Sequence, residues 1–444
     1  MNDFDVIILG GGTAGCSAAE SAAKQGATVG LVECGRIGGH SLLRGQLPLQ
    51  IAYDWQKRSG EKISFAHLLE EVELQSVIIA KKTEDRLKDS GVELIRGTGF
   101  LKDPGKVSIR LPEKDIDLEC GKIIIATGSQ PHSNSALPFD EHRLLPIDLF
   151  MKMKKLPVSI LIIGGDKAAL EGAQLFNMLG CKVFLVDENT RLVHDLDSSL
   201  IEALEKEFKK LKIKVLLGKK IISIFKSPGM IDVTLDGDVK FSTEKILVSA
   251  ERHGNTSGLG LDSLKIDCGN RREIWINEQM ETSRKGIFAA GSVTGRSRSI
   301  QISEEEGRVA GINAAGERQS IQRSQIPFYL QTTTPIASIG CLFGKAHFEG
   351  YRAVEGRYDV DPGDTTDSSF PEFCKIVVDR DTSRIIGAQV SGRNAYEVIS
   401  IIQTKMREGG LLKDLAHFNG SRAAHLKPII QAAKACAQAL SVRR

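Results

Sequence analysis

The sequence predicts an α/β fold of two similar halves followed by a smaller α+β domain, and three observations carry that prediction. A short apolar run, Val6–Leu9, leads into Gly10, Gly12 and Gly15 at the spacing G-x-G-x-x-G. A second apolar run, Ala27–Val32, ends at Glu33. The whole pattern then returns 154 residues later, so that Gly10 falls on Gly164. Each part of the first turn has a physical reason. Gly10 permits a tight turn, Gly12 lets backbone approach a pyrophosphate, and Gly15 lets the helix pack on the strand. The helix that follows points unpaired N–H groups and a positive dipole end at the phosphates, and Glu33 is placed to accept from an adenosine ribose. These are the marks of a Rossmann-like dinucleotide-binding unit.

Composition sets the bounds. A chain of 444 residues with 41% hydrophobic content is long enough for two or three cores. A net charge of +3 gives no general affinity for nucleic acid or for membranes. The chain enters a strand almost at once, leaving no room for a signal peptide, and no apolar run reaches the ~18 residues of a spanning helix. A cytoplasmic location is expected. Cysteines 16, 34, 120, 181, 268, 341, 374 and 436 show neither C-x-x-C nor metal-ligand spacing, which suits buried reduced thiols. No metal site is expected.

The stretch Gly38–Gln50, GGHSLLRGQLPLQ, decides the chemistry. It resembles the pyridine nucleotide-disulfide oxidoreductases, which include dihydrolipoamide dehydrogenase, mercuric reductase and glutathione reductase. In that family a Gly-Gly pair is followed by Thr, Cys, four residues, a second Cys, Ile, Pro, Ser and Lys. Gly38, Gly39, Gly45 and Pro48 keep the pattern, whereas Ser41 and Gln46 stand at the two cysteines and Gln50 at the lysine. A hydroxyl and a carboxamide form neither a disulfide nor a thiolate. The resemblance therefore implies a relative that cannot use the family's dithiol mechanism. It also implies FAD in the first nucleotide domain, with Gly10, Gly12, Thr13, Ala14, Gly15, Glu33, Gly38, Gly39, His40, Ser41, Gly99, Ala126, Thr127, Gly128, Gly291 and Ser292 as the cofactor-binding residues. Ser292 replaces an aspartate that contacts the ribityl chain in the family; a hydroxyl is the weaker, neutral partner. The segment Glu61–Gly91 has helical periodicity with a charged, solvated face, and Ile300–Ala315 is expected as a helix.

In the second copy Asp166 takes the place of Gly12, Ala169 that of Gly15, Gly180 that of Gly26 and Asp187 that of Glu33. By resemblance this copy would hold NAD(P)H, and Asp187 favours NAD over NADP. Asp166 brings a carboxylate to the pyrophosphate. Two unit charges ~4 Å apart repel by ~1 kcal/mol in water and ~4 kcal/mol near a protein surface. That weakens binding roughly fivefold to a thousandfold unless Lys167 pairs with Asp166 or itself meets a phosphate. Glu251, where the family's Gly-Arg-x-Pro-Asn turn has glycine, points the same way. NAD(H) binding is doubtful on these two residues. Glu171 matches a family glutamate whose lysine partner is here Gln50.

The remainder, from Ser324, resembles the family's interface domain, with an opening strand at 334–340, a hairpin over Phe373–Gly392 turning at Asp379–Ser383, and a polar loop at Asp359–Pro371. A homodimer follows by resemblance. The expected domains are 1–150 with 280–320 for FAD, 151–279 as a degenerate NAD(P)-binding-like domain, and 321–444 for dimerisation. The family's C-terminal histidine, proline and glutamate fall on Arg422, Ala423 and Lys427, and a short gap would bring in His425. Arg and Lys are not bases at neutral pH. Arg44, Arg422 and Lys427, with His40, could converge as a site for an acidic small molecule or a protein redox partner. Three functions remain open. One is an FAD-bound oxidoreductase passing electrons to a non-disulfide acceptor. A second is a non-catalytic FAD-binding partner or regulator. The third reroutes thiol chemistry through Cys16, whose helix N-terminal position would depress its pKa, and Cys34.

Overall fold

The computed structural model describes residues 3–111, 113–133, 137–140, 142–193, 196–296, 299–361, 372–416 and 426–441. The chain folds as two compact units, Met1–Lys155 with Ala250–Ile321, and Leu156–Ser249 with Gln322–Arg444.

The first unit is built on β1 (Phe4–Leu9), α1 (Thr13–Lys24), β2 (Val29–Glu33), α2 (Leu47–Ser59), α3 (Phe65–Asp89), β3 (Val92–Arg96), β4 (Thr98–Asp103), β5 (Lys106–Arg110) and β6 (Asp115–Ile125). Its sheet runs β3-β2-β1-β6-β5-β4, with strand Ile287–Ala289 added in parallel to β6. The strands β3, β2, β1 and β6 are parallel, and Val6, Ile7 and Ile8 at the centre are fully buried, as a strand covered on both faces requires. In α3, Ser64 caps the N-terminus by accepting from His67 N at 3.2 Å. Its buried residues Phe65, Leu68, Val72, Ser76, Ala80 and Leu87 form one stripe, leaving the charges on the other face. Helix Ile300–Ala314 packs on α1 at backbone distance, because a Cβ on Gly307 would lie 2.1 Å from Ala14 O and one on Gly311 2.2 Å from Ala18 O.

Residues 250–279 fold with this first unit. Leu101 N donates to Leu259 O at 2.8 Å, and Arg252–Gly254 pairs antiparallel with Ser129–Pro131. The turn at 250–256 therefore sits beside the first nucleotide fold, although sequence spacing attaches it to the second.

In the second unit, strands Lys214–Leu217, Lys182–Asp187, Ser159–Ile163 and Lys245–Val248 lie side by side in parallel, with helix Lys167–Leu179 crossing between two of them. The internal repeat holds to the residue. Pairs Val6↔Val29 to Leu9↔Val32 recur as Ile160↔Val183 to Ile163↔Val186, and Gly10 N donates to Val32 O as Gly164 N does to Val186 O, both at 2.8 Å. The C-terminal part is an antiparallel sheet in the order Phe328–Leu330, Ile336–Gly340, Ile385–Ser391, Phe373–Asp379, Ala353–Asp359. Helices Ala395–Arg407 and Lys427–Ser441 share its core through Ile376, Val390, Ile399 and Ile429. The expected hairpin is present, its turn fixed by Thr382 Oγ1 donating to Asp379 Oδ2 at 2.6 Å. Part of the expected polar loop, 362–371, lies outside the described residues. Among the described residues no helix is long and apolar enough to cross a membrane.

A buried carboxylate ties helix Ser198–Lys210 to the connection between strands Phe328–Leu330 and Ile336–Gly340 of the C-terminal sheet. Glu207, 2% exposed, accepts from Thr333 N at 2.9 Å and Thr334 N at 3.0 Å. Burial outweighs these hydrogen bonds and pushes its carboxyl up to about 7. The folded state thus binds more protons than the unfolded one between the ordinary glutamate range and about 7, so this group lowers stability as pH rises through that window. The loss totals about 3 kcal/mol at 1.36 kcal/mol per unit. Urea melts across the window should show that slope in wild type and a flatter profile in Glu207→Gln.

Candidate functional site

The first glycine turn is shaped by one close approach. A Cβ on Gly15 would lie 1.8 Å from Gly10 O, so only glycine lets α1 start against the end of β1. Gly12 is the N-cap of α1 and supplies no side chain there, which leaves the first-turn N–H groups directed at solvent or ligand. Glu33, at the end of β2, accepts from Gly11 N and Gly35 N, each at 2.6 Å.

Around this turn lies a cleft of about 790 Å³. Of the sequence-expected residues, Gly10, Gly12, Thr13, Ala14, Glu33, Gly39, His40, Ser41, Ala126, Thr127, Gly128, Gly291 and Ser292 line it. Gly15, Gly38 and Gly99 do not. Gly15 lies behind the turn, Gly38 N donates to Gly11 O at 2.9 Å, and Gly99 packs where a Cβ would meet Leu9 Cδ2. Their contribution is to hold the wall.

Sequence reasoning missed several members of the same wall. Asn255 Nδ2 donates to Thr127 O at 2.9 Å while Thr127 Oγ1 donates to Asn255 O at 2.8 Å. Arg252 hydrogen-bonds Asp148 and donates from Nε to Ser129 Oγ at 2.9 Å. Burial of Asp148 is outweighed by the His40 ring and the Arg252 guanidinium, which together hold its carboxyl well below the usual carboxylate range. Arg36 makes a two-armed bond to Glu73, at 2.7 and 3.2 Å. The signal for Arg252 and Asn255 was in the 250–256 turn, which spacing assigned to the wrong half. Asp148 and Glu73 carried none.

The residues expected at the family's thiol positions lie in a π-helix, Ser41–Gln46, with Ser41 on the cleft and Gln46 exposed. Gln50 donates to Asp54 Oδ2 at 3.1 Å. None of the eight cysteines lines the cleft. The expectation of a depressed Cys16 pKa is wrong: burial, then Glu20, pushes that thiol up to about 12, and its Sγ donates to Gly11 O at 3.2 Å. Burial and the neighbouring Glu33 raise Cys34 as well. The expectation of uniformly buried thiols is also corrected, since Cys34 and Cys268 are exposed.

At the second turn Asp166 is the N-cap of helix Lys167–Leu179, where its Oδ1 accepts from Ala169 N at 3.1 Å and from Ser249 Oγ at 2.7 Å. Lys167 does not turn to Asp166. It pairs with Glu171 and donates to Tyr329 O at 2.8 Å. Glu251 belongs to the first unit and pairs with Arg271 at 3.6 Å. Of the four basic residues, His40 and Arg44 line the first cleft, Lys427 opens a helix of the second unit, and Arg422 lies outside the described residues, as do Ala423 and His425. Among the described residues no group of His, Cys, Asp and Glu is arranged to hold a metal.

With tandem nucleotide folds, a glycine cradle and a C-terminal antiparallel sheet in place, comparison with known proteins is direct. The model of the pyridine nucleotide-disulphide oxidoreductase family matches residues 4–307, and that of the family's dimerisation domain matches 326–425. The chain belongs to this family, whose members are FAD-dependent oxidoreductases. It is 28% identical to a dihydrolipoyl dehydrogenase of Bacillus subtilis over 93% of this chain and 92% of that one. It is 26% identical to a soluble pyridine nucleotide transhydrogenase of Mycobacterium bovis, over 94% and 93% of the two chains. The crystal structure of LpdA from Mycobacterium tuberculosis superposes with a TM-score of 0.89 at 23% identity, covering 97% of this chain and 98% of the other.

Thiol chemistry offers a check on this geometry. Maleimide should modify Cys34 and Cys268 in the native protein, slowly at neutral pH and faster as pH rises, because the thiolate reacts and both thiols are raised. The other six should react only on unfolding, and rapid labelling of Cys16 would contradict its placement.

Proposed function

We propose that the chain is an FAD-binding oxidoreductase that hands electrons to an acceptor other than a disulfide. The observation that carries this reading is the cleft itself: its nucleotide cradle is complete, no cysteine lines it, and Ser41, which by resemblance takes the place of the family's first cysteine, does. The residues fit the dinucleotide. The bare N-terminus of α1 and Gly12 suit the pyrophosphate, Glu33 the adenosine ribose, and Thr127, Gly128, Gly291 and Ser292 the opposite wall. When bound, FAD supplies two-electron and one-electron chemistry without help from a thiol. This chain's residues bind it, orient it and shield it. A homodimer formed through the dimerisation-domain segment belongs to the reading, as does an FAD domain that takes in 250–279 beside 1–150 and 280–320.

Asp166 bears on the electron donor. Its carboxylate already occupies the helix N-terminus that a nicotinamide dinucleotide's pyrophosphate would approach, and Lys167 is committed to Glu171 and Tyr329. Both features support weak NAD(P)H binding. The transhydrogenase and dihydrolipoyl dehydrogenase activities named for the relatives are correspondingly disfavoured here, the first by weak nicotinamide dinucleotide binding and the second by the absence of cysteine from the cleft. The same carboxylate favours the second reading, a non-catalytic FAD-binding partner of a related enzyme.

Anaerobic addition of NADH to the purified flavoprotein separates the two. Slow bleaching at high NADH supports the oxidoreductase, and bleaching by no donor supports the binding partner. In Asp166→Gly, NADH should bind roughly fivefold to a thousandfold tighter, at a cost of ~1 kcal/mol for the lost helix cap. Unchanged affinity would show that Asp166 does not obstruct the site.

A further inference from the structure

The wall of the first cleft carries a polar chain behind His40. His40 follows the Gly38–Gly39 pair, and its Nε2 lies 3.1 Å from Asp148 Oδ2. That nitrogen is closed to solvent and lacks an aligned hydrogen bond, yet 36% of the side chain is exposed. The exposed part of the ring is therefore its other edge, on the cleft that His40 lines. Behind the imidazole, Asp148 is 14% exposed and bonds Arg252, whose Nε is held by Ser129. A carboxylate pinned by a guanidinium gives an imidazole a fixed orientation and an adjacent counter-charge, the arrangement that general acid–base groups use.

The other charges of the wall are differently engaged. Arg36 and Glu73 bond each other, Glu33 holds two backbone N–H groups, and Arg44 and Lys152 are cations with no proton to take up at neutral pH. Ser41 and Gln46, at the thiol positions, do not titrate near neutral pH either. His40 is the group of this wall whose type exchanges a proton in that range.

We propose that His40 is the proton-exchanging group of the cleft, positioned by Asp148 and Arg252. It takes one proton from solvent when negative charge arrives on the molecule bound in the cleft, and returns that proton to solvent when the charge leaves. The proposal rests on the flavin-binding reading above and adds to it a means of charge compensation.

Potentiometry of the flavin-loaded protein across roughly pH 5.5–8.5, the range in which histidine changes charge, tests it without turnover. Wild type should take up one proton more on reduction than His40→Gln somewhere in that range, and Asp148→Asn should move the pH at which this uptake occurs. Superimposable curves for wild type and His40→Gln would overturn the proposal. Should His40→Gln lose its flavin, diethyl pyrocarbonate labelling of the wild-type chain followed by peptide mass spectrometry decides. His40 should react, more slowly with FAD present, and at a different rate in Asp148→Asn. An unreactive His40, or one indifferent to Asp148→Asn, would overturn the proposal. Failure of the purified chain to bind FAD would instead refute the functional reading, while the Asp148-dependent labelling still judges His40.

Discussion

A methyl group on Gly15 would sit 1.8 Å from the carbonyl oxygen of Gly10, and this contact governs the first unit. It lets α1 begin where β1 ends, so the open N–H groups of the helix point at the same space as Glu33. The requirement for small side chains continues along α1, where Ala14, Ala18, Ala19 and Ala22 are buried and Gly307 and Gly311 of the facing helix meet backbone. Gly291 shares the close contact, since a Cβ there would lie 2.7 Å from Ala14 Cβ, so the tight packing also fixes the far wall of the cleft. Buried Glu306 adds to this by accepting from Gly291 N at 2.8 Å.

The second copy of the turn shows how one substitution changes what a helix N-terminus can do. Strand pairing and the leading glycine are retained to the residue. In the first copy the N-cap is a glycine and the N–H groups are left for a ligand. In the second, Asp166 satisfies Ala169 N and takes a hydroxyl from Ser249, so the chain provides its own anion. The fold gains a cap of the kind worth ~1 kcal/mol.

Much of this was legible in the sequence because it rests on local rules. The G-x-G-x-x-G turn, the acid ending β2, the repeat, α3 and the hairpin after Phe373 follow from spacing, periodicity and turn chemistry, which act over a few residues. The misplaced features are those set by distant packing. Residues 250–256 are assigned to the second half by order along the chain, yet hydrogen bonds from Arg252 and Asn255 join them to Ser129 and Thr127. Cys16 sits where a helix dipole would lower its pKa, but burial dominates and raises it. Asp148 lies in a short 3₁₀ segment with no motif, and only the fold brings it to His40.

The account turns on a nucleotide cleft whose wall holds no cysteine, and counting electrons tests this most directly. Anaerobic dithionite titration of the purified protein should consume two electrons per flavin, because the ring is then the sole redox centre. Four electrons per flavin would reveal a disulfide in communication with the ring and would contradict the assignment of Ser41 and Gln46 to the thiol positions.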